Sequence, residues 1–252
     1  MKLWANCQIC LVLIVTSLFP NLVSAQSSAL RVVTELLEPY QFLDQHNQLG
    51  GYSIEVMQTM FRKAGVNYPI EVKSWAAAYS MAKHNKNTLI FSMARTPRRE
   101  DNFIWGGPLL SEKLYVWGLK GHSNLTIDSL ESLKQYQITV IRNGLQHEYL
   151  RDNKFTNLHI TSNYINTIKL LYGKRTHYII SAVPNIIERT KALQLDVNKL
   201  QKVLFLPEAS TDLYFGFHKS SDPSLIEPLL SAFDELTQEG EIARLKKKWH
   251  LE

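Results

Sequence analysis

The chain alternates between short apolar runs and longer segments in which apolar residues recur every three or four positions. The short runs at 30–34, 70–73 and 88–93 predict strands. Residues 54–64 carry apolar side chains at helical spacing, and residues 76–83 predict a second helix. This order of strands and helices predicts a parallel sheet with helices on both faces.

A second α/β unit follows a strand predicted at 114–119, and the chain then continues into a further strand and two helices. The elements predicted there are strands at 138–141, 178–181, 203–206 and 213–217, and helices at 128–134, at 165–172, from Pro184, at 223–239 and up to Trp249. The length suits two lobes of about 100 residues each.

Two such units predict two lobes joined by crossings near residues 111–120 and 207–215. We predict that residues 26–115 and 212–252 form the first lobe and that residues 116–211 form the second. The C-terminal helices would then return to the first lobe.

The first 25 residues have the layout of a secretory signal peptide. Lys2 gives a basic start, residues 9–19 are almost wholly apolar, and the small residues Ser24 and Ala25 follow. The apolar stretch is short for a membrane span, which takes about 20 residues. We therefore predict cleavage after Ala25, export to the periplasm and no membrane segment.

Composition narrows the chemistry of the exported chain. Cys7 and Cys10 both lie in the predicted leader, so cleavage would leave no disulfide, no thiol nucleophile and no cysteine-bound zinc. The formal charge is +5, but the basic residues are scattered. Lysines 246–248 form the one run, which on a terminal helix is most often a solvated face. We therefore predict no nucleic-acid partner.

The stretch FSMARTPRRED, residues 91–101, places three arginines at the end of a predicted buried strand. They are Arg95, Arg98 and Arg99, and the Thr-Pro pair between them predicts the start of a helix. In open α/β sheets ligands bind at the carboxyl ends of strands, and a helix N-terminus with an arginine beside it favours an anion. The alternative is that these arginines are exposed charges without a function.

Sequence motifs that would indicate a catalytic or metal-binding site are weak in this chain. Ser80 and Lys83 match a Ser-x-x-Lys pattern, but they lie on an ordinary predicted helix without companion motifs. The eight histidines show no metal-ligand spacing, and Glu148 beside His147 is an acid/base pair by sequence only. Acid/base catalysis at the strand ends would need carboxylates there, for which Glu35 is the one good candidate. We predict no enzyme, no metal and no cofactor.

Several motifs recur in a characteristic order over roughly residues 30–250. They are EPYQF, GGYSIEVM, SMARTPRRE before an aromatic residue and GPLL, LESLK, ITVIRNG and LTQEGEIARLKKKW. In order and spacing they resemble the family 3 extracellular solute-binding proteins, the polar-amino-acid type that serve ABC importers. The resemblance implies an α/β fold of the two-lobed, type II periplasmic-binding-protein kind. Each lobe would be a sheet flanked by helices, with the ligand in the cleft between the lobes.

The family's motif after the third strand reads approximately Ser-x-Ser-x-Thr-x-x-Arg, and its arginine holds the α-carboxylate of the ligand. On this sequence the resemblance implies that Arg99 is the anion clamp. Ser92 and the backbone near Ala94 would help it, with alanine replacing the second serine of the motif. Arg98 would point to solvent, and the role of Arg95 stays open.

Three further side chains have two interpretations each. Trp75 stands where the family often has an aromatic residue stacked on the ligand, but it is equally well a core or inter-lobe tryptophan. Tyr40 and Glu35, near the end of the first strand, line the cleft in one interpretation. In the other, Tyr40 belongs to the core and Glu35 is a solvated loop carboxylate.

The second lobe departs from the family pattern. Where the family has glycine followed by serine or threonine, this chain has Gly144 and Leu145, which leaves only a backbone amide for the carboxylate. Where the family carries an aspartate for the α-amino group, GKRTHYIISAVP has no acidic residue, and Ser181 or Ala182 stands there. A buried ammonium without a counter-charge is costly, which argues against an ordinary zwitterionic amino acid.

The resemblance therefore implies a periplasmic monomer that captures a small carboxylate-bearing or amino-acid-like solute by hinge closure. Its partners would be that small molecule and the membrane subunits of an ABC importer. The alternatives are an orphan or sensory binding protein of the same fold and, third, a periplasmic enzyme such as a dehydratase.

Overall fold

The computed structural model describes residues 30–122 and 127–252, which form a two-lobed α/β fold. Its strands are β1 (Arg31–Thr34), β2 (Phe42–Leu43), β3 (Leu49–Gly50), β4 (Ile70–Val72), β5 (Thr88–Ala94), β6 (Phe103–Glu112), β7 (Leu114–Leu119), β8 (Ile138–Ile141), β9 (Leu158–Thr161), β10 (Tyr178–Ala182), β11 (Leu200–Phe205) and β12 (Thr211–His218). Its helices are α1 (Tyr52–Lys63), α2 (Trp75–His84), α3 (Leu145–Asp152), α4 (Tyr164–Tyr172), α5 (Val183–Ala192), α6 (Pro223–Gln238) and α7 (Glu241–Lys248). The predicted leader, with both cysteines, lies outside the described residues.

The first lobe is built on a five-stranded sheet in the order β4-β1-β5-β12-β6. β1 runs parallel to β4 and β5, whereas β12 is antiparallel to β5 and β6. Apolar side chains of α1, α6 and α7 cover one face of this sheet, and α2 covers the other. The two C-terminal helices therefore return to the first lobe, as the element order indicates.

The second lobe is built on a sheet in the order β11-β7-β10-β8-β9. β8 is parallel to β9 and β10, and β7 is antiparallel to β10 and β11. Successive residues of a strand point to opposite faces. Ile180 of β10 accordingly packs in one core with Leu150 of α3, and Ile179 packs in the other with Ile168 of α4 and Ile186 of α5.

Two connections join the sheets. Glu112 ends β6 in the first sheet and Leu114 begins β7 in the second, and the chain returns between Phe205 of β11 and Thr211 of β12. The lobe limits given above, 26–115 with 212–252 and 116–211, stay predictions. The connections place the end of β6 beside the start of β12, since Glu112 pairs with Thr211.

Two helices expected from the sequence are not formed. Residues 97–99 make a turn that continues into a 3₁₀ turn at Glu100–Asn102, so the prediction of a helix after Thr96 is wrong. β6 begins directly afterwards, and so short a segment cannot offset the cost of nucleating an α-helix. The helix predicted at 128–134 is likewise only a 3₁₀ turn at Ser132–Gln135.

Five elements have no counterpart in the prediction: the two-residue strands β2 and β3, and the longer elements β6, α3 and β9. β6 contains two glycines and a proline, which are the residues that mark turns and loops in a sequence. α3 is only eight residues long and mostly polar, so its periodicity is weak. Among the described residues, no helix is long and apolar enough to span a membrane.

Candidate functional site

A small cavity lies between the two lobes, where strands of both sheets end. It encloses about 40 Å³, enough for a few water molecules. Its wall includes seven of the eight residues predicted for the site: Glu35, Trp75, Ser92, Ala94, Arg99, Gly144 and Leu145. The eighth, Tyr40, lies in the core of the first lobe.

Arg99 is a buried cation at this cavity, with only 1% of its side chain exposed. Its guanidinium lies over the rings of Trp75 and Tyr79, with distances of 5.0 and 5.1 Å from Cζ to the ring centroids. Nη2 donates to Glu148 of the second lobe at 3.1 Å and reaches the Asn143 carbonyl at 3.5 Å. Nε is buried and has no hydrogen-bond partner among the described residues. One donor of the guanidinium is thus left for another group.

The other two arginines of this stretch point elsewhere. Arg95 donates from Nε to Glu100 Oε2 at 2.8 Å, a contact within the same turn. Arg98 is 54% exposed and pairs with Asp152 of the second lobe at 2.5 Å. Because the chain turns instead of forming a helix here, three neighbouring arginines face three directions, and Arg99 is the one that faces the cavity.

Ser92 occupies a special backbone position at the cavity wall. Its φ of 57° lies in the left-handed region, which non-glycine residues adopt at a cost of about 1–3 kcal/mol. Its hydroxyl donates to Gln41 Oε1 at 3.0 Å and forms a second hydrogen bond with the Ser53 hydroxyl, with 2.9 Å between the oxygens. These contacts hold the end of β5, where the Ala94 carbonyl accepts from Arg99 Nη1 at 3.2 Å. In this structure Ser92 supports the position of Arg99 indirectly.

Trp75 and the start of α3 meet across the cleft. The indole Nε1 of Trp75 donates to the Asn143 carbonyl at 2.7 Å, and its ring stacks on Tyr79 with centroids 5.4 Å apart. Trp75 is therefore an inter-lobe residue that also lines the cavity. The amide of Gly144 donates to the Ile141 carbonyl at 3.0 Å, so it is already engaged.

The cavity wall also carries two acidic residues, one of which the sequence prediction missed. Glu112, at the end of β6, lines the cavity together with Glu35. One carboxylate oxygen of Glu112, Oε1, is buried without a hydrogen-bond partner in the described part of the chain. The hydroxyl of Tyr40 interacts with the Glu112 carboxyl group from the core side. Tyr40 therefore contacts a residue of the cavity wall from the core of the first lobe.

Arg189 is the second buried cation of the cavity, with 3% of its side chain exposed. It extends from α5 of the second lobe and donates from Nε to Glu38 Oε2 of the first lobe at 2.8 Å. Its guanidinium carbon lies 3.8 Å from the centroid of the Tyr164 ring. Asn185, one helical turn earlier, donates to the Glu38 carbonyl at 2.8 Å. Asn185 and Arg189 therefore both connect the second lobe to Glu38 of the first lobe.

Burial perturbs the two carboxylic acids strongly. It raises the pKa of Glu35 from 4.5 to about 8, and the negative charges of Glu112 and Glu38 add to this rise while Arg189 opposes it. Burial likewise raises the pKa of Glu112 to about 7, against the effects of Tyr40 and Arg189. Glu35 is therefore no solvated loop carboxylate. The cavity holds acidic groups, and they come from the first lobe.

The residues that the sequence prediction missed have only weak local patterns in the sequence. Glu112 lies at the end of a strand whose glycines and proline hid it from the pattern. Asn185 and Arg189 are four residues apart on a helix, which places them on one face, and this spacing was the available clue. Nothing local indicates that the face turns toward Glu38, because that contact joins residues far apart in the chain.

Comparisons with known proteins agree with this architecture. Among curated proteins, a probable ABC transporter arginine-binding protein, ArtJ of Chlamydia trachomatis, is 25% identical over 223 residues, or 84% of this chain and 82% of its own. A histidine kinase sensor domain similar to periplasmic binding proteins superposes with a TM-score of 0.78 at 18% identity, covering 87% of this chain and 95% of its own.

A mutant of the arginine-binding protein of T. maritima superposes with a TM-score of 0.77 at 16% identity, covering 91% of this chain and 98% of its own. At these identities the two solved structures establish the fold, which is the type II periplasmic-binding-protein fold. The family model of the bacterial extracellular solute-binding proteins, family 3, matches residues 30–252. The chain therefore belongs to the family 3 extracellular solute-binding proteins.

Proposed function

We propose that this protein captures an amino acid in the cleft between its lobes, binds the carboxylate through Arg99, and delivers it to an ABC importer. The observation that carries the proposal is the buried Arg99 guanidinium, which lines the cavity with Nε unpartnered in the described residues. An arginine offers a planar, two-pronged donor that suits a carboxylate. The relation to a probable arginine-binding protein of an ABC transporter supports an amino acid as the solute.

Hinge closure is part of the proposal. Two ion pairs with buried arginines join the lobes, Arg99 with Glu148 and Arg189 with Glu38. These contacts hold the lobes together at the cavity, so the solute enters after the cleft opens. The two short connections between the sheets are where such a movement would bend the chain.

Replacement of Arg99 tests this function. Truncation of one partner of a desolvated arginine–carboxylate pair costs roughly 2–5 kcal/mol. Arg99→Ala should therefore weaken binding of the tightest of the twenty common L-amino acids at least tenfold in calorimetric titration. Arg99→Lys should not restore it, because an ammonium cannot make the two-pronged contact.

Arg98→Ala is the matched control, since Arg98 is adjacent but half exposed in its pair with Asp152. Pairs of this kind contribute about 0–1 kcal/mol, so affinity should change little. Circular dichroism of each variant verifies that it is folded. If folded Arg99→Ala binds as tightly as the unaltered protein, or if no amino acid binds, the proposed function is wrong.

A further inference from the structure

Resting on the proposed function, we propose that Glu112 holds the ammonium group of the bound amino acid. The family's aspartate for this group has no equivalent in the second lobe, where residues 173–184 include no acid. Glu112 would supply the missing counter-charge from the first lobe, at the point where the chain crosses to the second. The substrate class is then the primary-ammonium carboxylates, and deaminated acids of the same shape should bind weakly.

The position of Glu112 is the first argument. It is the last residue of β6, and its partner across the sheet is Thr211, the first residue of β12. The backbone is thus fixed on a rigid element. The carboxyl group lines the cavity, and its Oε1 is buried with no hydrogen-bond donor in the described residues. A buried acceptor without a donor is costly, and a ligand N–H would remove that cost.

The balance of charge is the second argument. Three carboxyl groups, those of Glu35, Glu38 and Glu112, lie around Arg189. Arg189 makes its direct ion pair with Glu38, at 2.8 Å. Glu35 and Glu112 form no ion pair in the described part of the chain, so the ionised form of either one is without a direct counter-charge. A primary ammonium brings one positive charge and three N–H donors on a compact group.

The cavity wall carries both a guanidinium and an acid, which is the third argument. Arg99, beside Trp75, and Glu112, beside Tyr40 and Arg189, both line it. An amino acid carries its carboxylate and ammonium on one carbon atom, so it can present one to each of these two groups. A site built to accept an N–H from its ligand rejects analogues that lack it, because a buried polar group is then left unpaired.

A proton should leave when the ammonium binds. The charged and titratable groups that face Glu112 are Glu35, Tyr40, Tyr164 and Arg189. Burial raises the pKa of Glu112 to about 7, so this acid is partly protonated at neutral pH. A cation beside it favours the ionised form and expels the proton.

Glu112→Gln is the decisive variant. The probes are the tightest-binding common L-amino acid and the same compound with hydrogen in place of the ammonium. Glu112→Gln should weaken binding of the amino acid at least tenfold and binding of the deaminated compound less than threefold. The ratio of the two affinities should therefore fall. Calorimetry near pH 7 in two buffers of different ionisation enthalpy should show proton release for the unaltered protein and its loss in Glu112→Gln.

Glu148→Gln, at the ion-pair partner of Arg99, is the matched control. Glu148 faces Arg99, so its replacement should act on both probes alike and leave their affinity ratio unchanged. If Glu112→Gln keeps that ratio, or if the unaltered protein binds both probes equally, the assignment of Glu112 is overturned while carboxylate capture by Arg99 stands. If Arg99→Ala leaves binding intact, the proposed function itself fails.

Discussion

Replacement of Glu35 by glutamine should stabilise the protein, and the gain should grow with pH. Glu35 is buried at the cavity, and burial raises its pKa from 4.5 to about 8. An acid whose pKa is higher in the folded chain holds its proton more tightly there. Its contribution to stability is fully present below pH 4.5 and is lost as the pH rises toward 8. Glutamine resembles the protonated form at every pH.

The magnitude follows from the two pKa values. Each pH unit between 4.5 and the working pH costs about 1.36 kcal/mol, which gives roughly 3 kcal/mol at pH 7. Glu112 repels Glu35 and titrates in the same range, so one substitution should recover about half of this or more. For a chain of this size, 1 kcal/mol moves the melting temperature by about 2–4 °C. We expect a gain of about 3–10 °C at pH 7–8 and almost none at pH 5.

Thermal unfolding followed by circular dichroism at pH 5 and pH 8, without added solute, measures this effect. Glu131→Gln is the control, because the Glu131 side chain is 80% exposed and its replacement should shift the melting temperature little at either pH. An equal gain for Glu35→Gln at both pH values, or a loss at pH 8, would refute the reasoning from burial.

Three other predictions test the fold, the closure and the leader. Gly106→Ala should cost roughly 1–3 kcal/mol in urea unfolding, because its Cβ would lie 2.3 Å from Phe215 Cζ. Gly50→Ala, whose Cβ would meet the Phe42 ring at an ordinary 3.8 Å, is its control, and equal effects would contradict the packing. A tightly bound amino acid should compact the protein in small-angle scattering, and an unchanged profile would argue against hinge closure. Intact-mass measurement on periplasmic extract should find a chain that begins at Gln26, and a mass that retains residues 1–25 would exclude cleavage.

The parts of the site that a single segment encodes could be predicted from the sequence. Ser92 and Ala94 lie at the end of β5 and Arg99 follows it, and their spacing carries the resemblance that places them at the cavity. The local backbone conformation could not be predicted in this way. The expected helix is a turn, since β6 starts too soon for a helix to form. Arg99 reaches the cavity from this turn, so the expected location holds without the expected helix.

The acidic part of the cavity wall could not be predicted in the same way, because contacts between residues far apart in the chain form it. Glu112 and Arg189 belong to different lobes, and neither has a neighbour in sequence that indicates its partner. Their meeting depends on how the second sheet docks on the first. The same holds for the perturbed pKa of Glu35, because burial at an interface between lobes causes it. Residues 173–184 of the second lobe offer an ammonium no counter-charge, whereas the first lobe brings the carboxyl groups of Glu35 and Glu112 to the cavity.

The Arg99–Glu148 ion pair across the cleft indicates which half of the site is fixed. Arg99 has 1% of its side chain exposed, whereas Glu148, its partner, has 15%. A carboxylate near the surface can return to water at little cost, but a buried guanidinium that loses its partner pays a large desolvation penalty. A solute carboxylate at Arg99 would therefore replace Glu148 and leave the arginine where it is. We infer that binding strength reflects the difference between these two carboxylates, so Glu148 moderates the affinity that Arg99 alone would give.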